Sequence, residues 1–452
     1  MRRVVVTGLG AVSPHGLSTK EFWNGLLDGK SSTTTLTQFD SGTFPSRVAG
    51  VVPTFKVTDF VPKSYRKATK IMARDIELAV LAADGALRDA KIATRGIIES
   101  SGGKIPDDTW YQPNPARLGC NIGAGLICAD LTELAAALAQ AKAPDGGLDM
   151  QRWGRSDNPN QTSGMENLTP LWLLKYLPNM LACHVSIIHD TQGPSNTITC
   201  GQASAGLALG EACRTIARGQ ADMALVGGCE SLIHPVGLMR WSLLNRVNTQ
   251  ANDHPAEACR PLDIDARGTV IAEGGGVLVI EELNSALARH AEIYCEIAGL
   301  GESSSGQNVC QADPTGEALA VAMHKAMAKA GISADAVDMV IPSGYGIPGY
   351  DQADAAAIRT VFGAKAPFVA PVRGGVGDCG AGSQALDLVA AALAIDAQNV
   401  FPVVNNNHPI AGLNIPHKCH HDVNLRHVMV LSTSLAGQNS VVVFRKTVPP
   451  GT

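Results

Sequence analysis

Short apolar runs of strand character alternate with amphipathic helical runs along this chain, and near residue 283 the alternation starts again. Strands that read as continuous β-branched runs are buried on both faces, so helices must cover both sides of the sheet they form. The opening, Arg3–Thr7, reads as a strand turned by Gly8-Leu9-Gly10, followed by helices at Lys20–Leu27 and Ala73–Ala90. Strands follow at Arg117–Ile122, Asn196–Thr199, Met223–Val226 and Val277–Glu281, with a helix at Ala203–Arg218. The second series has strands at Glu292–Ala298, Val337–Ile341, Pro367–Ala370, Val428–Leu431 and Val441–Phe444, and helices at Glu317–Ala330, Gln352–Val361 and Gln384–Ala397. This alternation implies an α/β class with parallel or mixed sheets. Residues 143–165, polar and rich in Gly, Asn and Asp, read as a surface excursion.

Composition removes several function classes. The net charge is −5 and no Lys/Arg-rich run occurs, which argues against nucleic-acid binding. No stretch approaches the length of an apolar membrane span, and the basic start Met1-Arg2-Arg3 leads into too short an apolar run for a signal peptide. The 11 cysteines, scattered and mostly within apolar runs, fit buried thiols in a reducing cytoplasm. His417-Lys418-Cys419-His420-His421 has no closed tetrahedral zinc spacing and reads as a solvated loop, so no metal or other cofactor is expected.

Several local motifs are more specific. They are Arg3–Gly10 with Ser13-Pro14-His15-Gly16, then Asn179-Met180, Gly193-Pro194-Ser195, Arg260-Pro261-Leu262-Asp263 and Glu273–Glu282. Together, from residue 2 to about 445, they resemble the β-ketoacyl synthases. The resemblance implies the thiolase-like fold: two duplicated halves in a five-layered α-β-α-β-α arrangement, here 1–282 and 283–452, and a dimer.

A working member of that family needs a Cys at a strand-to-helix elbow and two histidines. The thiolate attacks an acyl thioester, and the histidines assist decarboxylation and stabilise the developing oxyanion. Counting from Gly193-Pro194-Ser195 places Gln202 at the nucleophile position, and an amide cannot carry a thioester. The first histidine position falls on Ser343, ahead of Asp351 and Asp354; the second falls on Asp378, with Arg373 in place of a family lysine. A carboxylate at Asp378 would repel a malonyl group. In the glycine-rich C-terminal loop the usual gating Phe is Leu435, while Gly437 and Asn439 remain.

Gln at the elbow resembles the chain length factors, which implies a heterodimer with a catalytic ketosynthase and an acyl chain delivered by acyl carrier protein. The tunnel at the shared interface would draw on Gly123, Ala124, Leu126, Ile127 and Ala129, with Pro170–Tyr176 and Met180 beside them; ordinary core packing is the other reading of these residues. Ser343 and Asp378 either mark lost chemistry or have a role of their own. Two enzymatic alternatives stay open: a Gln-type malonyl decarboxylase, although such enzymes keep both histidines, and an acyltransferase using Cys200. Cys200 otherwise reads as an inert strand cysteine.

Overall fold

The computed structural model describes residues 2–447 apart from 157–159, 161, 309, 310 and 364. The four between 157 and 161 belong to the surface excursion and lie outside the described residues. Strands β1 (Val4–Val12), β2 (Thr33–Thr35), β3 (Val48–Gly50), β4 (Leu118–Ala124), β5 (Ser195–Ile198) and β6 (Met223–Ser231) come first in the chain. They are followed by β7 (Ile271–Glu282), β8 (Cys295–Ser304), β9 (Met339–Ile341), β10 (Phe368–Val369), β11 (His427–Thr433) and β12 (Gln438–Arg445). All join one mixed sheet whose main order is β10-β9-β11-β12-β8-β1-β7-β6-β4-β5, with β2 and β3 off this path.

The order is symmetric about the β1–β8 pair. Moving outward on either side, the first two pairings are antiparallel and the next two parallel. β1 and β8 meet antiparallel at Val5↔Glu296 and Val6↔Cys295. Each parallel step requires a crossover, which places helices on the sheet faces. The Arg74–Asp89 helix packs on β1, β7 and β6, and the Glu317–Ala330 helix packs on β8 and β12. Between the two arms the Ser204–Ala217 and Ser383–Ala397 helices touch each other and contact strands of both arms. The result is a helix–sheet–helix–sheet–helix stack in which the two arms of the one sheet form the two sheet layers.

Every residue of β1, β4, β6 and β7 is buried, so these strands are predominantly apolar, with buried polar residues such as Asn121, Glu230 and Glu273 among them. The Arg74–Asp89 helix buries Ile76, Leu78, Val80, Leu81 and Leu87, each contributing about 1.5–3 kcal/mol relative to exposure. Its seat on β1 corrects one expectation. Gly8-Leu9-Gly10 is strand, not turn. A Cβ on Gly8 would stand 2.5 Å from the Ala86 carbonyl oxygen, and one on Gly10 would stand 2.0 Å from that of Ala82. These glycines let the helix lie directly on the strand. No helix among the described residues is long and apolar enough to cross a membrane.

Candidate functional site

The site forms where β5 gives way to the Ser204–Ala217 helix. Gly201 has φ +55°, the left-handed region that glycine enters without steric cost. The backbone N–H of Cys200 donates to Ser204 Oγ at 2.8 Å, closing the elbow. The second arm repeats the device: Gly380 has φ +54°, and the Cys379 N–H donates to Ser383 Oγ at 2.8 Å. Cys200-Gly201-Gln202-Ala203-Ser204 and Cys379-Gly380-Ala381-Gly382-Ser383 therefore share a Cys-Gly-x-x-Ser pattern. That internal repeat is visible in the sequence as the recurrence of Cys-Gly-x-x-Ser at Cys200 and at Cys379.

The two elbows face each other and bring Gln202, Asp378, Arg373 and Ser343 together in one buried network. Gln202 Nε2 donates to Asp378 Oδ2 at 3.0 Å. Asp378 Oδ1 accepts from Ser383 Oγ at 2.8 Å, from the Gly380 N–H at 3.2 Å and from Arg373 Nε at 3.5 Å. Arg373 also donates through Nη1 to the Ser343 carbonyl, lies 3.6 Å from Asp387 Oδ2, and stacks over the Tyr345 ring at 4.7 Å. One guanidinium thus sits between two carboxylates. Four donors converge on Asp378, whereas among the described residues neither oxygen of Asp387 has a hydrogen-bond partner. Burial pushes the Asp387 carboxyl up to about 7 despite Arg373, and the carboxylates around Arg373 hold its guanidinium protonated.

Two expectations change here. Asp378 is no bare anion facing substrate: it is fully buried and compensated by Arg373. Cys200 is also not a strand residue. It is half-buried just beyond β5, and burial pushes its thiol up, away from the nucleophilic thiolate.

On its outer side Gln202 lines a cleft of about 440 Å³ together with Ala124, Leu126, Leu232, Trp241 and Leu435. Glu230 stands in its wall. It accepts from the Ala381 N–H at 2.6 Å, and burial with Asp75 nearby pushes its carboxyl up to about 8. Among the described residues lining the cleft there is no thiol and no imidazole. Of the expected tunnel residues, Ala124 and Leu126 reach the cleft. Gly123 packs against the Ser204–Ala205 backbone, Ile127 lies in the core, Ala129 is half-buried, and Met180 packs on the same core cluster as Ile127. Gly437 and Asn439 border a separate small space beside Asp354 and Thr433. His417–His421 lies in a loop, with Cys419 Sγ 3.8 Å from His421 Nδ1 and His421 Nδ1 3.3 Å from Asn399 Oδ1.

Residues 1–126 and 129–286 match the family model "Beta-ketoacyl synthase, N-terminal domain", and residues 294–407 match "Beta-ketoacyl synthase, C-terminal domain". A 3-oxoacyl-[acyl-carrier-protein] synthase 2 from Vibrio harveyi is 30% identical over 451 residues, covering 98% of this chain and 99% of the relative. Among solved structures, a type II polyketide synthase acyl-carrier protein in complex with its ketosynthase bound to the hexaketide superposes with a TM-score of 0.81 at 25% identity. That match covers 99% of this chain and 100% of the other. The ishigamide ketosynthase/chain length factor gives 0.81 at 24% identity, again with 99% and 100% coverage, and shares the same fold.

Proposed function

This chain belongs to the beta-ketoacyl synthase family, and from that premise we propose that it is a non-catalytic subunit of the chain-length-factor type, paired with a catalytic ketosynthase. Gln202 occupies the nucleophile's place, Ser343 and Asp378 those of the two histidines. The observation that carries this reading is the network itself. Gln202 and Arg373 both donate to Asp378, so at these positions the elbow offers an amide and a compensated carboxylate instead of a thiolate and an imidazole.

The surroundings fit a partner subunit. β5 ends the sheet, and its residues Ser195 and Asn196 are exposed, leaving a free strand edge. The cleft opens beside it, and Leu126, 64% exposed, stands at its rim with Leu244. Exposed Leu171, Leu173 and Leu243 add apolar surface of the kind that protein interfaces cover. The substrate class is taken from the relatives: an acyl or polyketide chain borne on acyl carrier protein, extended at its thioester end by the partner, with its distal apolar end reaching this cleft.

The test is to incubate the purified chain with malonyl and acyl thioesters of carrier protein. Neither carbon dioxide nor an acyl-protein adduct should form. Carbon dioxide release abolished by Gln202→Ala would establish a decarboxylase instead. An adduct abolished by Cys200→Ser would establish an acyltransferase.

A further inference from the structure

The segment that lines the cleft at Leu435 is tied down by side chains. Thr433 is the last residue of β11 and Leu435 stands in the turn that follows. The Thr433 N–H donates to Ser343 Oγ at 2.9 Å, and the Tyr345 hydroxyl donates to the Thr433 carbonyl. The Leu435 N–H donates to Gln202 Oε1 at 3.4 Å, and the Tyr350 hydroxyl donates to the Leu435 carbonyl at 3.1 Å. All four backbone groups of these two residues are therefore held by side chains, two of which are Gln202 and Ser343.

The tyrosines are themselves clamped. Their rings meet edge-on at 5.7 Å, Arg373 covers Tyr345 at 4.7 Å, and Arg246 covers Tyr350 at 4.6 Å. Leu435 packs against Tyr345, Ile347 and Tyr350 as one cluster. Next to this cluster, in the space bordered by Tyr350, Asp354, Thr433 and Asn439, only about 10 Å³ remains, room for one water. On the cleft side there is about 440 Å³.

We propose that Gln202, Ser343, Tyr345 and Tyr350 form a latch that holds residues 433–435 as the fixed end wall of the cleft, making it a blind pocket that admits only the apolar end of an acyl chain. The substituted positions thus acquire a specificity role: they separate the cleft from the space next to the Leu435 cluster, so no thioester head group passes through this subunit. This deepens the partner-subunit reading and rests on it for the identity of the ligand, whereas the latch itself is measured without any partner or carrier.

Two measurements test it. The first is amide hydrogen exchange of the intact chain, comparing Tyr345→Phe/Tyr350→Phe and Gln202→Ala with the parent. Residues 433–435 should be protected in the parent. They should exchange about tenfold faster in the variants, with β6 and β7 unchanged as the control for folding. Unchanged exchange in the variants, or free-chain exchange in the parent, overturns the latch. The second is quenching of Trp241, which lines the cleft, by fatty acids brominated at the methyl end or beside the carboxyl, with Trp241→Phe to isolate its signal. Stronger quenching from the methyl end is expected. Equal, reversed or absent quenching overturns the blind pocket while leaving the acyl-transfer result, and hence the non-catalytic reading, untouched.

Discussion

Replacing Asp378 with Ala tests whether the network is a structural unit. Asp378 is fully buried and accepts from Gln202, Ser383, Gly380 and Arg373. Its loss leaves Arg373 with Asp387 at 3.6 Å, the Ser343 carbonyl and the Tyr345 ring, in a buried site. Removing one partner of a buried ion pair costs roughly 3–5 kcal/mol, because the remaining charge stays desolvated. Gln202→Ala removes one hydrogen bond to a carboxylate, worth about 1.5–3 kcal/mol. The two changes share that bond, so the double variant should lose about 1.5–3 kcal/mol less than the sum of the singles. Urea unfolding, followed in parallel by tryptophan fluorescence and far-ultraviolet circular dichroism with coincident transitions, supplies the numbers. An Asp378→Ala variant within about 0.5 kcal/mol of the parent, or strict additivity with Gln202→Ala, would refute the reasoning.

Gly10→Ala should abolish soluble expression, since its Cβ meets the Ala82 carbonyl at 2.0 Å between two rigid backbones; a folded variant of parental stability would contradict the close helix seat. Stability should fall as pH rises from about 6.5 to about 8. Burial holds Glu230 up at about 8 and Asp75 at about 7, so the folded chain keeps protons there that the unfolded chain has released. His15, His184 and His189, held down at about 4, 4 and 3 by burial, are neutral in the folded chain throughout that window. Glu230→Gln should flatten the slope, as pH-dependent urea midpoints will show. If Ser343 and Asp378 occupy the histidine positions, as proposed, Gln202→Cys should not create condensing activity in a carrier-protein assay, because the chemistry needs imidazoles there.

The α/β alternation was legible because buried strands and helices carry their own periodicities, and the Glu317–Ala330 helix falls where the pattern placed it. Gly8–Gly10 was misread because glycine marks both turns and close approaches, and only the position of the Arg74–Asp89 helix distinguishes them. Gln202, Ser343, Arg373 and Asp378 could each be singled out from local motifs. Their mutual bonding could not, since Gln202 and Asp378 lie 176 residues apart and meet only when the two elbows face each other. The roles of Tyr345 and Tyr350 were equally hidden, because hydroxyl-to-carbonyl bonds have no sequence signature.

The central claim is that this chain performs no chemistry alone and serves a partner. It is tested most directly by co-expression with a ketosynthase from the same genome that bears the Cys–His–His set, reading native mass and condensing activity together. The account predicts a 1:1 heterodimer whose activity depends on the partner's cysteine and survives Gln202→Ala in this chain. A homodimer of this chain that ignores the ketosynthase, or condensing activity from this chain alone, would contradict it.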